Sequence, residues 1–204
     1  YLTAAFYFLT IALGGLVVTA LLYVAKAGWG VVVKRVAEGV AGYLPWGAAS
    51  MFVVLLGAHT LYPWTGPEAH EDPILLAKAS YLNLPAFAAR MVVVLGLWLL
   101  FARLLRKGSV AQDTDKAVRH TTRAVALSAG FLLVFALSFS VASFDWLMSL
   151  SPHWQSTIFA WYNMAGVVVA GLAVTIALAI RLRRSGALAE VNPSHLHDLG
   201  KLLF

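Results

Sequence analysis

The charges of this chain are bunched so that long stretches between them carry none. Residues 1–25, 39–67, 124–144 and 146–180 are free of charge, and residues 79–102 carry only Arg90. A helix rises about 1.5 Å per residue, so about 20 apolar residues cross the hydrocarbon layer of a bilayer. The gaps predict five membrane spans, at about 2–25, 43–62, 84–103, 124–144 and 156–180. Backbone groups in hydrocarbon must be paired within their own segment, and the alternating strand pattern of a barrel is absent. The expected fold is therefore an all-α polytopic transmembrane bundle. Composition agrees: 61% of the 204 residues are hydrophobic, 12% are charged and the mean hydropathy is +0.81. Those values exclude a disordered chain and argue against a soluble enzyme domain.

The segments between the gaps alternate in sign. Residues 26–42, 103–123 and 181–204 carry net charges of +2, +4 and +2, whereas residues 63–83 and 145–155 carry −2 and −1. By the positive-inside rule the three basic segments face the cytoplasm, and the loops 63–83 and 145–155 face the outer side. The formal charge of +6 is thus read as a topology signal and a contact for anionic phospholipid headgroups, not as a nucleic-acid footprint. The chain opens at Tyr1 with no initiating Met and no basic region before the first span, so no signal peptide is read. It closes on Lys201-Leu202-Leu203-Phe204, which reads as the entry to another apolar helix. The expectation is one integral membrane domain, residues 1–204, forming part of a larger membrane protein.

Local signals refine the spans. Gly14-Gly15, Ala165, Gly166, Ala170 and Gly171 are small residues that let helices approach, and Gly166-xxx-Ala170 has small-xxx-small spacing. Residues 28–42 place Val33, Val36, Ala37 and Val40 on one face, which suits either a short interfacial helix or an extension of the second span. Asp72-Pro73 starts a short helix, and Pro152 is placed to start the fifth span. Trp146, Trp154 and Trp161 read as an interfacial aromatic belt. The segment 106–123 reads as a polar cytoplasmic loop.

The candidate chemistry lies on the outer half. Arg90 falls roughly 8–13 Å below the point where the third helix enters the bilayer. A charge there needs a partner or a hydrated pocket, and Asp145 on the next helix is the candidate; the alternative is an arginine that snorkels or merely pins two helices. His59 and His153 are candidates for proton transfer or for hydrogen bonding to a quinone carbonyl, alongside the plain reading of interfacial histidines. They do not form the matched pairs of a membrane haem, and no spacing resembles a metal motif. Lys34, Glu38 and Asp198 are weaker cytoplasmic proton-path candidates. In Asn192-Pro193-Ser194-His195, either Asn192 or Ser194 is placed to cap a helix, with Asp198 favouring its positive end. The absence of cysteine removes thiolate metal sites and cysteine-ligated clusters from this chain.

Several runs together carry a resemblance. They are Ser143-x-Asp145-Trp146-Leu147-Met148-Ser149-Leu150-x-Pro152-His153-Trp154 with Ser156-Thr157-Ile158, then His197-Asp198-Leu199-Gly200-Lys201-Leu202-Leu203-Phe204, Tyr62-Pro63-Trp64 and Lys78-Ala79-x-Tyr81-Leu82-Asn83. The chain resembles the quinone-binding membrane subunits of alternative complex III, in the polysulfide-reductase (NrfD)-like family, and the second of that complex's two large membrane subunits more than the first. The resemblance implies a bacterial cytoplasmic-membrane complex that oxidises quinol and passes electrons to a periplasmic acceptor. It implies partners bearing iron–sulfur clusters and c-type haems, and a paralogous NrfD-like subunit. This chain would hold quinol or conduct protons, with His59, Arg90, Asp145 and His153 as the candidates, or scaffold the assembly, without a redox cofactor of its own. Two departures stand out: Ser151 occupies a position where the family pattern is acidic, and the family bundle is larger than five spans. A purely structural, lipid-binding subunit and a secondary transporter are the other readings; prolines at helix ends rather than mid-membrane count against the transporter.

Overall fold

The computed structural model describes residues 1–115 and 117–203, and for Glu68 the backbone alone. Among these residues the chain is all α, and five helical segments are long and apolar enough to cross a membrane. It is a multi-pass helical bundle. The α-helices are α1 (Leu2–Val24), α2 (Val31–Ala41), α3 (Leu44–Leu56), α4 (Ala58–Leu61), α5 (Pro73–Lys78), α6 (Leu84–Asp115), α7 (Val118–Trp146), α8 (Phe159–Arg184) and α9 (Pro193–Leu203).

Helix α1 is apolar all round, and a helix without a polar face is satisfied only by neighbours on every side. It is accordingly the hub: 72% of its apolar window is buried, against 28–39% for the other four spans. Its neighbours are α2, α3, α7 and α8. The closest approach is backbone on backbone. A Cβ built on Gly14 would stand 2.7 Å from Gly171 Cα and closer still to the Val167 carbonyl. Gly15 plays the same part toward α2, where a Cβ would lie 2.8 Å from the Ala37 carbonyl. The expected Gly166-xxx-Ala170 contact does not form. Gly166 has nothing within 4 Å of its Cβ position, and the packing register on α8 is Val167 and Gly171, one residue round the helix.

The second span differs from the expected 43–62. It begins at α2, whose residues Val33, Val36, Ala37 and Val40 are buried, and continues through α3. Of the two readings of residues 28–42, the structure takes the extension of the span. Pro45 lacks an amide and crowds the carbonyl four residues back, so the helix breaks at Gly42-Tyr43 instead of running straight. A second interruption at Gly57 separates α3 from α4.

In the segment 106–123, expected as a polar loop, the residues up to Asp115 and from Val118 on are helical. Helix α6 runs 32 residues, about 48 Å, well beyond hydrocarbon thickness, and α7 runs 29. Leu105 and Ser109 continue the buried face of α6 past its last apolar stretch, so the polar residues there coat the outside of a helix. Arg35 of α2 fastens this extension, bonding the Ser109 carbonyl at 3.0 Å and the Asp113 carboxylate, while Ser109 Oγ donates to Glu38 at 2.7 Å. The last span starts at Phe159, not at Pro152. Residues 151–158 are held as a loop because the Pro152 carbonyl accepts from Lys78 Nζ at 2.6 Å and His153 pairs with Asp72. Of the three tryptophans expected at an interface, Trp154 and Trp161 are exposed. Trp146 is not: its ring turns inward, edge-on to Phe6 and Trp98.

Candidate functional site

The C-terminal end of α7 carries the one buried carboxylate among the described residues. Asp145 is 1% exposed, and its Oδ2 accepts from Arg90 Nε at 2.6 Å. The sequence brings the two together because α6 and α7 are antiparallel neighbours: Trp98 Nε1 donates to Ser138 Oγ at 2.9 Å further down the same seam, and Phe101 stacks near Phe131. Arg90 uses a second nitrogen to donate to the Tyr81 carbonyl at 3.1 Å, and its guanidinium lies 3.9 Å from the Tyr81 ring centre. An ion pair removed from water is held only when the remaining donors and acceptors are also engaged, and losing one partner leaves a buried charge that costs about 3–5 kcal/mol. Here the fit is incomplete on one side. Asp145 Oδ1 has no hydrogen-bond donor among the described residues.

Two tyrosines border this carboxylate. Tyr62 is buried at the end of α4, stacked with Trp64 and Phe87, and its hydroxyl donates to the Trp146 carbonyl at 3.0 Å. Burial, and then the Asp145 charge, push its pKa well above the usual tyrosine value. Tyr81, in the loop ahead of α6, is pushed up to about 12, chiefly by burial and next by Asp145, with Arg90 pulling the other way. Both hydroxyls therefore stay protonated at neutral pH. Ser149 closes the last turn by donating to the Asp145 carbonyl.

Beside the pair lies a cavity of about 270 Å³. Tyr81, Phe144, Ser149 and Trp154 line it, with Lys78 and Gln155 among the polar groups at its walls. The site is thus an apolar hollow with a phenol, a hydroxyl and an ammonium along it, next to a carboxylate with one free oxygen.

The four outer candidates separate into three places. Arg90 and Asp145 join directly. His153 pairs instead with Asp72, Nε2 to Oδ2 at 2.7 Å, and is more than half exposed. Asp72 also caps α5, accepting from the Ile74 and Leu75 amides. Desolvation raises the Asp72 pKa, but those two amides and His153 outweigh it and hold the carboxyl below its usual range. His59 is apart from both pairs. It is exposed and lines a second hollow of about 270 Å³ with His70, Asn83 and Trp64, whose buried Nε1 lacks an acceptor among the described residues.

The three candidates at the opposite end, Lys34, Glu38 and Asp198, are likewise not assembled. Glu38 is committed to Arg35 and Ser109, Lys34 stands over the Tyr23 ring at 4.2 Å, and Asp198 pairs with Lys201 at 3.3 Å. No hydrogen bond or ion pair joins the three among the described residues. At α9 the cap is Asn192: its Oδ1 accepts from the His195 amide at 3.0 Å, and His195 Nδ1 accepts in return from the Asn192 amide at 3.2 Å. This is a reciprocal box with histidine in the glutamate's place.

The sequence reading gave no role to Tyr62, Tyr81, Lys78 or Ser149. Tyr81 precedes Arg90 by nine residues across the break before α6, so helical periodicity does not link them. The available signal was their presence in the runs that carry the family resemblance. No protein-family model matches this chain, and no curated protein matches it at a significant level.

Proposed function

We propose that this chain is an integral membrane subunit of a quinol:electron-acceptor oxidoreductase of the alternative complex III kind, in a bacterial cytoplasmic membrane, and that its outer half supports quinol oxidation and proton release. The observation that carries the reading is the ion pair of a partly exposed Arg90 with a buried Asp145, next to Tyr81, which borders an apolar cavity. Oxidation of a quinol to a quinone releases two electrons and two protons. The electrons would leave to iron–sulfur and haem c groups on partner subunits. The protons need a route, and a buried carboxylate with an unengaged oxygen is an acceptor for one of them.

The residues fit that task. Phe144 and Trp154 offer aromatic walls to a quinol ring, and Lys78, which gives only one of its protons to the Pro152 carbonyl, offers donors to its oxygens. Tyr81, with a pKa near 12, stays a neutral phenol. It acts as a relay that takes a proton on one lone pair while giving its own to Asp145. Arg90 engages Asp145 Oδ2, which leaves Oδ1 as the oxygen that receives it.

The test is Asp145→Asn in the whole complex. Assembly is checked on native gels and by haem c and iron–sulfur spectra of the purified particle. The assembled variant is expected to lose turnover by about a hundred-fold, the scale of a lost general base. An assembled complex with unchanged turnover and unchanged proton stoichiometry would overturn this role and leave a structural subunit. A purified particle without haem c or iron–sulfur signals would overturn the respiratory assignment itself.

A further inference from the structure

A further cavity lies at the other end of the bundle, near the end of α1, the start of α2, the end of α6 and the start of α7. Its volume is about 660 Å³. Lys26, Lys34 and Arg35 line it against a single carboxylate, Asp113, and Gln112, Thr121 and Thr122 supply further polar groups. Arg35 is already engaged by Asp113, Glu38 and the Ser109 carbonyl. Lys26 and Lys34 have no ion-pair partner among the described residues. The apolar part of the lining lies deeper: Leu22 precedes Lys26 by one turn of α1 and Val125 follows Thr121 by one turn of α7, each about 6 Å toward the membrane interior.

The chain path around Lys26 is unusual. Helix α1 ends in a left-handed residue, with the Ala27 amide on the Leu22 carbonyl at 3.1 Å and the Lys26 amide on Tyr23 at 3.1 Å. Helix α8 ends in the same bond pattern around Gly186, at φ +79°. Glycine adopts that conformation freely, whereas Lys26 holds it at φ +49° against its own Cβ. A lysine kept where glycine is the unstrained residue brings an ammonium to the cavity mouth.

We propose that this cavity is a binding site for the phosphate headgroup of an anionic phospholipid, held by Lys26 and Lys34, with the upper acyl chain against Leu22 and Val125. The site is independent of the quinol reading, because it lies at the opposite end of the helices and shares no residue with it.

The test uses the full chain in detergent, with native mass spectrometry and thermal shift on adding phosphatidylglycerol or phosphatidylcholine of the same acyl chains. Phosphatidylglycerol is expected to be retained and to raise the melting temperature, and phosphatidylcholine is not. Lys26→Gln with Lys34→Gln is expected to weaken phosphatidylglycerol binding about thirty-fold, from the contribution per lysine near a charged surface. Lys26→Gly alone should weaken it about five-fold while leaving the melting temperature of the lipid-free chain unchanged or higher, so a folding defect cannot mimic the result. Arg181→Gln with Arg184→Gln, an equal charge loss at the same end, should leave binding unchanged. Undiminished binding in the Lys26 and Lys34 variants, or an equal loss in the arginine control, would overturn the site. Saturation by millimolar inorganic phosphate, with no preference for phosphatidylglycerol, would overturn the lipid assignment in favour of a soluble phosphate compound.

Discussion

Single residues set the balance at both ends of the bundle. Lys26→Gly relieves a left-handed lysine, and relief of that strain is expected to be on the order of 1 kcal/mol. Asp72 gives a pH dependence that can be signed. Its carboxyl titrates below its unfolded value despite desolvation, because the Ile74 and Leu75 amides and His153 stabilise the charged form. A lowered pKa contributes stability above the unfolded pKa of about 4 and loses it as pH falls through the folded value. Asp72→Asn should therefore lower the melting temperature at neutral pH, and the difference from wild type should close below about pH 4. A thermal-melt series across pH checks this; a difference that persists in acid would show that the cap matters through something other than charge. Arg90 was legible at this scale because an isolated intramembrane charge demands a partner. Tyr62 and Tyr81 were not, since a tyrosine near a membrane surface is unremarkable until its neighbours are known.

At the scale of elements, helix contacts are decided by register. Gly14 and Gly171 meet backbone to backbone, so Gly14→Ala forces α1 and α8 apart and is expected to destabilise the bundle by about 1–3 kcal/mol. Gly166→Ala meets nothing and should be neutral or slightly favourable in its helix. Detergent unfolding of the two variants separates them; equal effects would refute the assigned register. Composition identified α8 as rich in small residues, yet it could not say which of two adjacent faces packs. That choice follows from the rotation of α8 against α1, which local sequence does not encode. The helical extension of α6 and α7 escaped a hydropathy reading for a related reason. A polar helix end looks like a loop unless its buried stripe, here Leu105 and Ser109, has a known neighbour.

For the whole molecule, charge asymmetry gives an orientation that chemistry can check. The chain has no cysteine, so single substitutions provide clean labels. Gln155→Cys, exposed in the loop before α8, should react with an impermeant maleimide on intact cells. Ser185→Cys, exposed at the far end of α8, should react only after permeabilisation. The reverse pattern would invert the topology and place the Arg90–Asp145 pair on the cytoplasmic side. The two proposed sites would then exchange compartments while keeping their geometry.

By itself, the sequence determined the class of fold and the count of spans, and named Asp145 as the candidate partner that the structure gives to Arg90. These follow from solvation: a charge or an unpaired amide in hydrocarbon costs too much to leave its placement open. Tertiary structure alone decided which histidine meets which carboxylate, that Trp146 turns inward, that α2 belongs to a span, and that Lys26, Lys34 and Thr121 share one cavity. Those outcomes depend on helix rotation and tilt, set by many small packing contacts between segments distant in the chain.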